Sequence, residues 1–169
     1  MKKIVCALFA LLSVLSLSAQ ETKKGLENVE LKNLKNEPQM LPCFGEKHLL
    51  IFYVDPDRHK QNEDFTIEIE QNHAAEGDNI EGFGVLNLKD TMLPNGIIRT
   101  MARKRTEKNG ATVLADHDRI LSKAWGLGDC NNKFVLMLVS RDGEMLYLRK
   151  GELTEEDKAE FYRIVALYR

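Results

Sequence analysis

The sequence has little cysteine and no closely spaced cysteine pair. Its 169 residues contain three cysteines, Cys6, Cys43 and Cys130. No two of them form a C-x-x-C motif. This spacing excludes the usual dithiol arrangement for disulfide exchange.

The chain also lacks an excess of positive charge. It carries 24 basic and 26 acidic residues, for a formal net charge of −2. This balance gives no indication of nucleic-acid binding. Beyond the N-terminal segment, no apolar run is long enough for a membrane span. The composition therefore favours a folded domain without a membrane-spanning helix.

The N-terminal segment has the three parts of a secretory signal peptide. Two lysines precede an uncharged apolar run from Ile4 to Leu17, and small residues follow up to Ala19. The run is about 14 residues long, shorter than the roughly 20 that a membrane-spanning helix needs. We therefore predict a signal peptide over residues 1–19 and one domain over residues 20–169, which is long enough to form a complete core.

Apolar runs separated by polar turns predict alternating strands and helices. Strands are predicted at 29–31, 48–54, 84–88, 112–115, 134–139 and 145–148. Helices are predicted over 96–108, in a short segment that ends near Trp125, and after the N-cap residue Thr154. Asp116 or Asp118 is expected to cap the short helix. This order predicts a single α/β domain with a mixed sheet flanked by helices.

Residues 61–75 fit two patterns. Phe65 to Glu70 alternates between apolar and polar residues as a strand does. Phe65 and Ile69 also share one face of a helix, and Asn62 is a suitable N-cap for it. The residues alone leave both structures open.

The predicted helix over residues 96–108 is strongly basic. Its inward face is expected to consist of Ile97, Ile98, Met101 and Ala102. Its basic residues are Arg99, Arg103, Lys104, Arg105 and Lys108. An earlier segment, 63–81, is rich in acidic residues. These charges are consistent with steering of an anionic partner or with self-association, and also with ordinary solvated helix faces.

The order of the elements resembles the thioredoxin-like plan. The stretches that carry this resemblance are Val29–Glu37 with Gly45–Lys47, Phe134–Leu148 with its Asp142-Gly143 turn, and Lys150–Glu155. A closer resemblance is to the YtfJ family, small exported thioredoxin-like proteins. Its stretches are Val85–Asp90 with Pro94, Ala124-Trp125, Val139–Gly143 and Gly151–Thr154. The resemblance implies a thioredoxin-like fold and location in the periplasm, and it provides no catalytic residues to transfer.

The sequence departs from active thioredoxin-like enzymes at two places. Their cysteine pair follows the central strand, but the corresponding segment here, Asp55–Asn62, contains no cysteine. They also keep a cis-proline just before the first hairpin strand, and Cys130–Phe134 contains no proline. Because disulfide exchange needs an attacking thiolate, the usual redox chemistry is not expected in this protein.

Polar residues occupy the segment where the cysteine pair is missing. Asp55, Asp57 and His59 follow a predicted parallel strand, and open α/β sheets bind ligands at the carboxyl ends of such strands. Carboxylates and an imidazole in one loop are candidates for a metal site or for acid–base chemistry. The alternative is a solvated loop whose carboxylates cap the next helix.

Cys130 is the candidate for a reactive thiol. It precedes the strand 134–139 and is expected near the same end of the sheet as Asp57. Reactivity requires a lowered pKa, to which Lys133 and His59 are possible contributors. The alternative is an inert, partly buried thiol.

We expect no disulfide between Cys43 and Cys130. The central strand of seven residues is about 23 Å long at 3.3 Å per residue. Cys43 precedes its start, and Cys130 is expected near its end. A disulfide requires Cα atoms within about 7 Å, so the topology argues against the bond although an oxidising compartment favours one.

Together these features predict an exported, non-catalytic protein that binds a ligand or partner of the cell envelope. The binding residues that we expect are Asp55, Asp57, His59, Asn87 and Asp90, although Asn87 and Asp90 also suit simple turn chemistry. No cofactor is expected, and the oligomeric state is left open. The alternative is a thiol oxidoreductase or a peroxiredoxin-related enzyme that uses the lone Cys130.

Overall fold

The computed structural model describes residues 25–74 and 76–169, so the predicted signal peptide lies outside the described residues. The strands are β1 (Glu30–Asn33), β2 (Pro38–Met40), β3 (His48–Val54), β4 (Ile80–Asn87), β5 (Val113–Asp116), β6 (Phe134–Val139) and β7 (Met145–Lys150). The helices are α1 (Glu63–Gln71), α2 (Asn95–Asn109), α3 (Ile120–Ala124) and α4 (Glu155–Val165), with a 3-10 turn at Pro56–Arg58. No helix in these ranges has the length and apolar character needed to cross a membrane.

The seven strands form one mixed sheet in the order β2-β1-β5-β4-β3-β6-β7. Strands β3, β4 and β5 are parallel. Strand β6 pairs antiparallel with β3, and β7 pairs antiparallel with β6. The carboxyl ends of β3 and β4 therefore lie at the same edge of the sheet as the start of β6. This topology confirms the predicted single mixed α/β domain.

One face of the sheet packs against α3 and the chain segments around it. Its core includes Tyr53 from β3, Val85 from β4 and Leu121 from α3. Trp125 is buried in this core, as expected for a large aromatic side chain, and its indole Nε1 donates to the carbonyl of Glu27 at 2.8 Å.

Helices α1, α2 and α4 cover the opposite face. The segment that fitted two patterns is helical, because Phe65 and Ile69 are both buried on the sheet side of α1. Phe65 packs edge-on against Phe161 of α4, with ring centroids 5.5 Å apart. Asn62 is at the N-cap position, but its side chain does not cap α1. Its Nδ2 donates to the carbonyl of Gly151, and its Oδ1 accepts from the backbone N–H of Leu153.

The prediction that Ile97 and Met101 of α2 face inward is wrong. Ile98 is buried with Leu88 and Ala115. Ile97 and Met101 are 52% and 62% exposed. The reason is that α2 contacts the sheet along one narrow line, and no other described element covers its remaining apolar flank.

Candidate functional site

Three loop segments meet at the carboxyl ends of β3 and β4. We name this region the loop edge and define it as residues 55–62, 88–94 and 128–133. The strand order explains the meeting, because the first two segments leave adjacent parallel strands and the third leads into β6. Hydrogen bonds between the segments hold them together in the structure.

Asp57 joins the first segment to the second. Its Oδ1 accepts a hydrogen bond from the hydroxyl of Thr91 at 3.1 Å. Its Oδ2 accepts from the backbone N–H of Met92 at 3.0 Å. Both oxygens are thus used to hold the loop that follows β4.

Asp55 joins the first segment to the third. Its side chain is fully buried, and Oδ2 accepts from the backbone N–H of Asn132 at 2.7 Å. Its Oδ1 accepts from the backbone N–H of Asp57 at 2.9 Å. Hydrogen bonds to both carboxylate oxygens satisfy this buried group, so Asp55 has a structural role in fixing the loop edge.

His59 lies apart from the two carboxylates. Its Nδ1 is 3.0 Å from the carbonyl oxygen of Pro56, and its side chain is exposed. Within residues 25–74 and 76–169, no group of three His, Cys, Asp or Glu side chains is placed to hold a metal ion. The structure therefore does not gather Asp55, Asp57 and His59 into one ligand set.

An open cleft of about 560 Å³ lies beside these residues. Its lining residues are all polar: Asp57, Arg58, His59, Lys60, Gln61, Asn62, Asn132 and Glu152. The backbone N–H of Phe134 donates to Gln61 Oε1 at 2.8 Å, which fixes one wall of the cleft. The cleft presents polar groups of both charge signs to solvent.

Asn87 and Asp90 form a local contact at the end of β4. Asn87 is fully buried, and its Nδ2 donates to Asp90 Oδ2 at 2.8 Å. A hydrogen bond from Arg119 is the largest influence on Asp90 and holds the pKa of its carboxyl below the ordinary value. Asn87 Oδ1 is buried with no hydrogen-bond partner among the described residues. The bond between the two side chains spans the turn that follows β4.

Tyr53 was not among the residues expected at this end of the sheet, and Asp116 was expected only as a possible helix cap. Asp116 is fully buried at the end of β5, and its carboxylate accepts from the Tyr53 hydroxyl at 3.3 Å. It also accepts from the backbone N–H groups of Ile120 at 2.7 Å and Leu121 at 3.0 Å, so it caps α3 from a distance. Burial raises the pKa of Tyr53. An aspartate between a strand and a helix was the available signal for this cluster.

Cys130 is buried, with 4% of its surface exposed. Its Sγ donates to the carbonyl of Gly128 at 3.6 Å. Burial raises the pKa of this thiol, and the charge of Lys150 opposes that shift only in part. Cys43 and Cys130 are both free thiols, which confirms the topological argument against a bond between them.

No protein-family model matches this chain, and no curated protein matches its sequence. Solved structures do match. A pneumococcal exposed lipoprotein thioredoxin from Streptococcus pneumoniae has a TM-score of 0.58 at 13% identity, covering 81% of this chain and 98% of its own. A hypothetical protein from Sinorhizobium meliloti has a TM-score of 0.62 at 15% identity, covering 86% and 82%.

A thiol-disulfide oxidoreductase from Bacteroides fragilis also matches, with a TM-score of 0.54 at 14% identity, covering 83% of this chain and 98% of that one. Similarity at such low identity shows the fold alone. The fold is therefore thioredoxin-like, as the sequence predicted. The chain has no thiol in residues 55–62, and its described residues contain no cis peptide bond.

Proposed function

We propose that this protein is a redox-inactive thioredoxin-like protein that binds a partner protein at the loop edge. One observation carries the proposal. The segment after the central strand contains two carboxylates, Asp55 and Asp57, whose oxygens all hold backbone or hydroxyl groups of neighbouring segments. The segment acts as a fixed platform and offers no nucleophilic sulfur.

The position of the remaining thiols supports a non-catalytic role. An attacking thiol needs exposure and a lowered pKa. Cys130 has the opposite properties, because it is buried and its pKa is raised. The pKa of Cys43 is also raised, first by burial and then by the nearby charges of Glu81 and Glu46.

The exposed surface of the loop edge supports a protein partner. Met92 is 92% exposed and Leu93 is 49% exposed. They belong to the segment that Asp57 holds in place, next to the charged cleft around Arg58 and Lys60. Methionine and arginine are enriched at protein interfaces, and a fixed loop loses little entropy on binding.

The YtfJ-like motifs support a further part of the proposal, namely membership of that family and export to the periplasm. The mass of the protein recovered from the producing cells tests the export. Cleavage after Ala19 is expected, which leaves Gln20 as the first residue. Recovery of the full-length chain from the cytoplasmic fraction contradicts export.

Thiol reactivity tests the redox part of the proposal. Without reductant, we expect alkylation of the native protein to modify Cys43 slowly and Cys130 hardly at all, and alkylation in denaturant to modify both. We also expect insulin-disulfide reduction no faster than the buffer rate, with an active thioredoxin as the positive control. Turnover that is lost in Cys130→Ser would show that the lone-thiol alternative is correct.

Site-specific photocrosslinking in the producing cells tests the binding part. A photoreactive residue at Lys60 in the cleft is compared with one at Lys35, in the β1–β2 turn at the opposite end of the sheet. We expect one discrete adduct from position 60 that is absent from position 35 and is weakened by Met92→Ser. Equal adducts at both positions, or none at position 60, would contradict partner binding at the loop edge.

A further inference from the structure

We infer that the face formed by α1 and α2 pairs with the same face of a second copy of this chain, the basic α2 of each copy lying on the acidic α1 of the other. This inference does not depend on the loop edge. It rests on the opposite charges of the two helices, their position in one layer, and the apolar surface that they leave uncovered.

The two helices carry equal and opposite charge. Helix α1 contains Glu63, Asp64, Glu68 and Glu70 and no basic residue. Helix α2 contains Arg99, Arg103, Lys104, Arg105 and Lys108 against a single Glu107. Their formal charges are therefore −4 and +4. No ion pair joins α1 to α2 within residues 25–74 and 76–169.

Both helices lie on the same face of the sheet. Helix α1 packs on the core that contains Leu50 and, at its border, Val54. Helix α2 packs on the small core bordered by Leu86. Val54 and Leu86 are partners in the β3–β4 ladder, and paired residues project to the same face. A two-fold axis through this layer therefore allows both α1–α2 contacts to form at once, as a closed symmetric dimer requires.

The sheet between the helices is incompletely covered. Residues of β3 and β4 on this face stay partly exposed, although both strands are central; they are Phe52, Val54, Gly82, Gly84 and Leu86. Two of the five are glycines and add no side chain. The other three are apolar, so the sheet surface between the helices is apolar and partly exposed.

The exposed apolar side of α2 borders this partly exposed part of the sheet. Arg99 reaches His117 after β5, with its Nη1 2.7 Å from the imidazole Nε2, so that flank of α2 faces the outer strands. Ile97 is two residues away, about 200° around the helix, and faces the α1 side. Met101 and Lys104 follow Ile97 at helical spacing on the same flank, and Lys108 continues the line.

The complementary side of α1 is its flank toward α2. Glu68 accepts from the Tyr162 hydroxyl of α4 at 2.9 Å, so that flank of α1 faces α4. Glu63 and Glu70 lie on the other flank, seven residues apart, with the 39% exposed Ile67 beside them. Each helix thus offers apolar side chains together with unpaired charge. This combination suits a protein surface better than a lipid surface, because an interfacial helix needs an apolar face along its whole length.

Charge reversal on each helix tests the inference with the protein alone. One variant carries Lys104→Glu and Lys108→Glu, and a second carries Glu63→Lys and Glu70→Lys. Sedimentation velocity of the wild type at low salt is expected to show a mass that rises toward a dimer with concentration and falls with added salt. Each variant alone is expected to have a dissociation constant raised by about tenfold or more.

An equimolar mixture of the two variants is the decisive measurement. In the mixed dimer, the acidic helices of the first variant face the basic helices of the second. We expect the mixture to form dimers that neither variant forms alone. Lys35→Glu with Lys123→Glu is the matched control, at exposed positions outside this face, and is expected to behave as the wild type.

Circular dichroism establishes that every variant is folded. A wild type that stays monomeric at all concentrations overturns the inference, including the case in which it binds anionic vesicles instead. Variants that dimerise as the wild type does, or a mixture that stays monomeric, overturn it as well.

Discussion

The loop edge and helix α2 show opposite relations between side-chain chemistry and burial. At the loop edge and the adjoining end of β5, Asp55 and Asp116 are fully buried. On α2, Ile97 and Met101 are more than half exposed. The buried carboxylates are stable because each accepts two or more hydrogen bonds. The exposed apolar residues lie where no element within the described part of the chain covers them.

The two regions contribute to the protein in different ways, one to stability and the other to association. Polar residues at the loop edge hold segments together that are distant in the chain, so they contribute to stability. The exposed apolar residues on α2, Ile97 and Met101, contribute little to the stability of the single chain and remain available for association. Substitutions of the buried carboxylates and of the exposed apolar residues should therefore differ in the size of their effect on the free energy of unfolding.

Asp116→Ala should have the largest effect. It leaves the Tyr53 hydroxyl and the backbone N–H groups of Ile120 and Leu121 without their acceptor. We expect a loss of about 3 kcal/mol in the free energy of unfolding, measured by urea denaturation. Asp118→Ala is the control, since its side chain is 71% exposed, and should change stability by less than about 0.5 kcal/mol. Equal losses in the two variants would contradict the capping role of Asp116.

Asp55→Asn should have the next largest effect. The amide offers one acceptor oxygen where the carboxylate offers two, so the N–H of either Asp57 or Asn132 meets an NH2 group. We expect a loss of about 2 kcal/mol in the same denaturation experiment. His59→Asn changes an exposed side chain of the same segment and should be nearly neutral. An unchanged midpoint in Asp55→Asn would show that this carboxylate does not hold the loop edge.

Asp90 gives a smaller, pH-dependent contribution. Its folded-state pKa is lowered, first by the hydrogen bond from Arg119, so its stabilisation is present above the ordinary value of 3.8 and is lost as the pH falls below it. At neutral pH the free energy of unfolding of the wild type should exceed that of Asp90→Asn by at most about 1 kcal/mol, because Arg119 is exposed to solvent. Urea denaturation at neutral and at acidic pH should show this difference shrinking at acidic pH. A constant difference would contradict the linkage.

Most of the fold could be predicted from local patterns. The apolar run of β6 was expected at Phe134–Val139 and lies there. Thr154 caps α4 as expected, with its hydroxyl accepting from the N–H of Asp157. The strand pattern of residues 65–70 was misleading, because alternation over six residues also fits a helix whose Phe65 and Ile69 are buried.

The arrangement of the loop edge was harder to predict, because its bonds join residues that are far apart in the chain. Asp55 and Asn132 are 77 residues apart, and Asp57 and Thr91 are 34 apart. Sequence patterns place these residues at strand ends but do not assign their partners. The exposure of Ile97 was also hard to predict, because an amphipathic pattern does not specify which flank of a helix another element covers.

Met101→Gln should have the smallest effect on stability. Met101 is 62% exposed, and glutamine is also a good helix former, so the free energy of unfolding should change by less than about 0.5 kcal/mol. Ile98→Ala, three residues earlier on the buried side of α2, should cost about 2 kcal/mol or more. If Met101→Gln instead destabilises the monomer as much as Ile98→Ala, then Met101 is a core residue. If it leaves stability unchanged and weakens dimer formation, the exposed flank of α2 serves association.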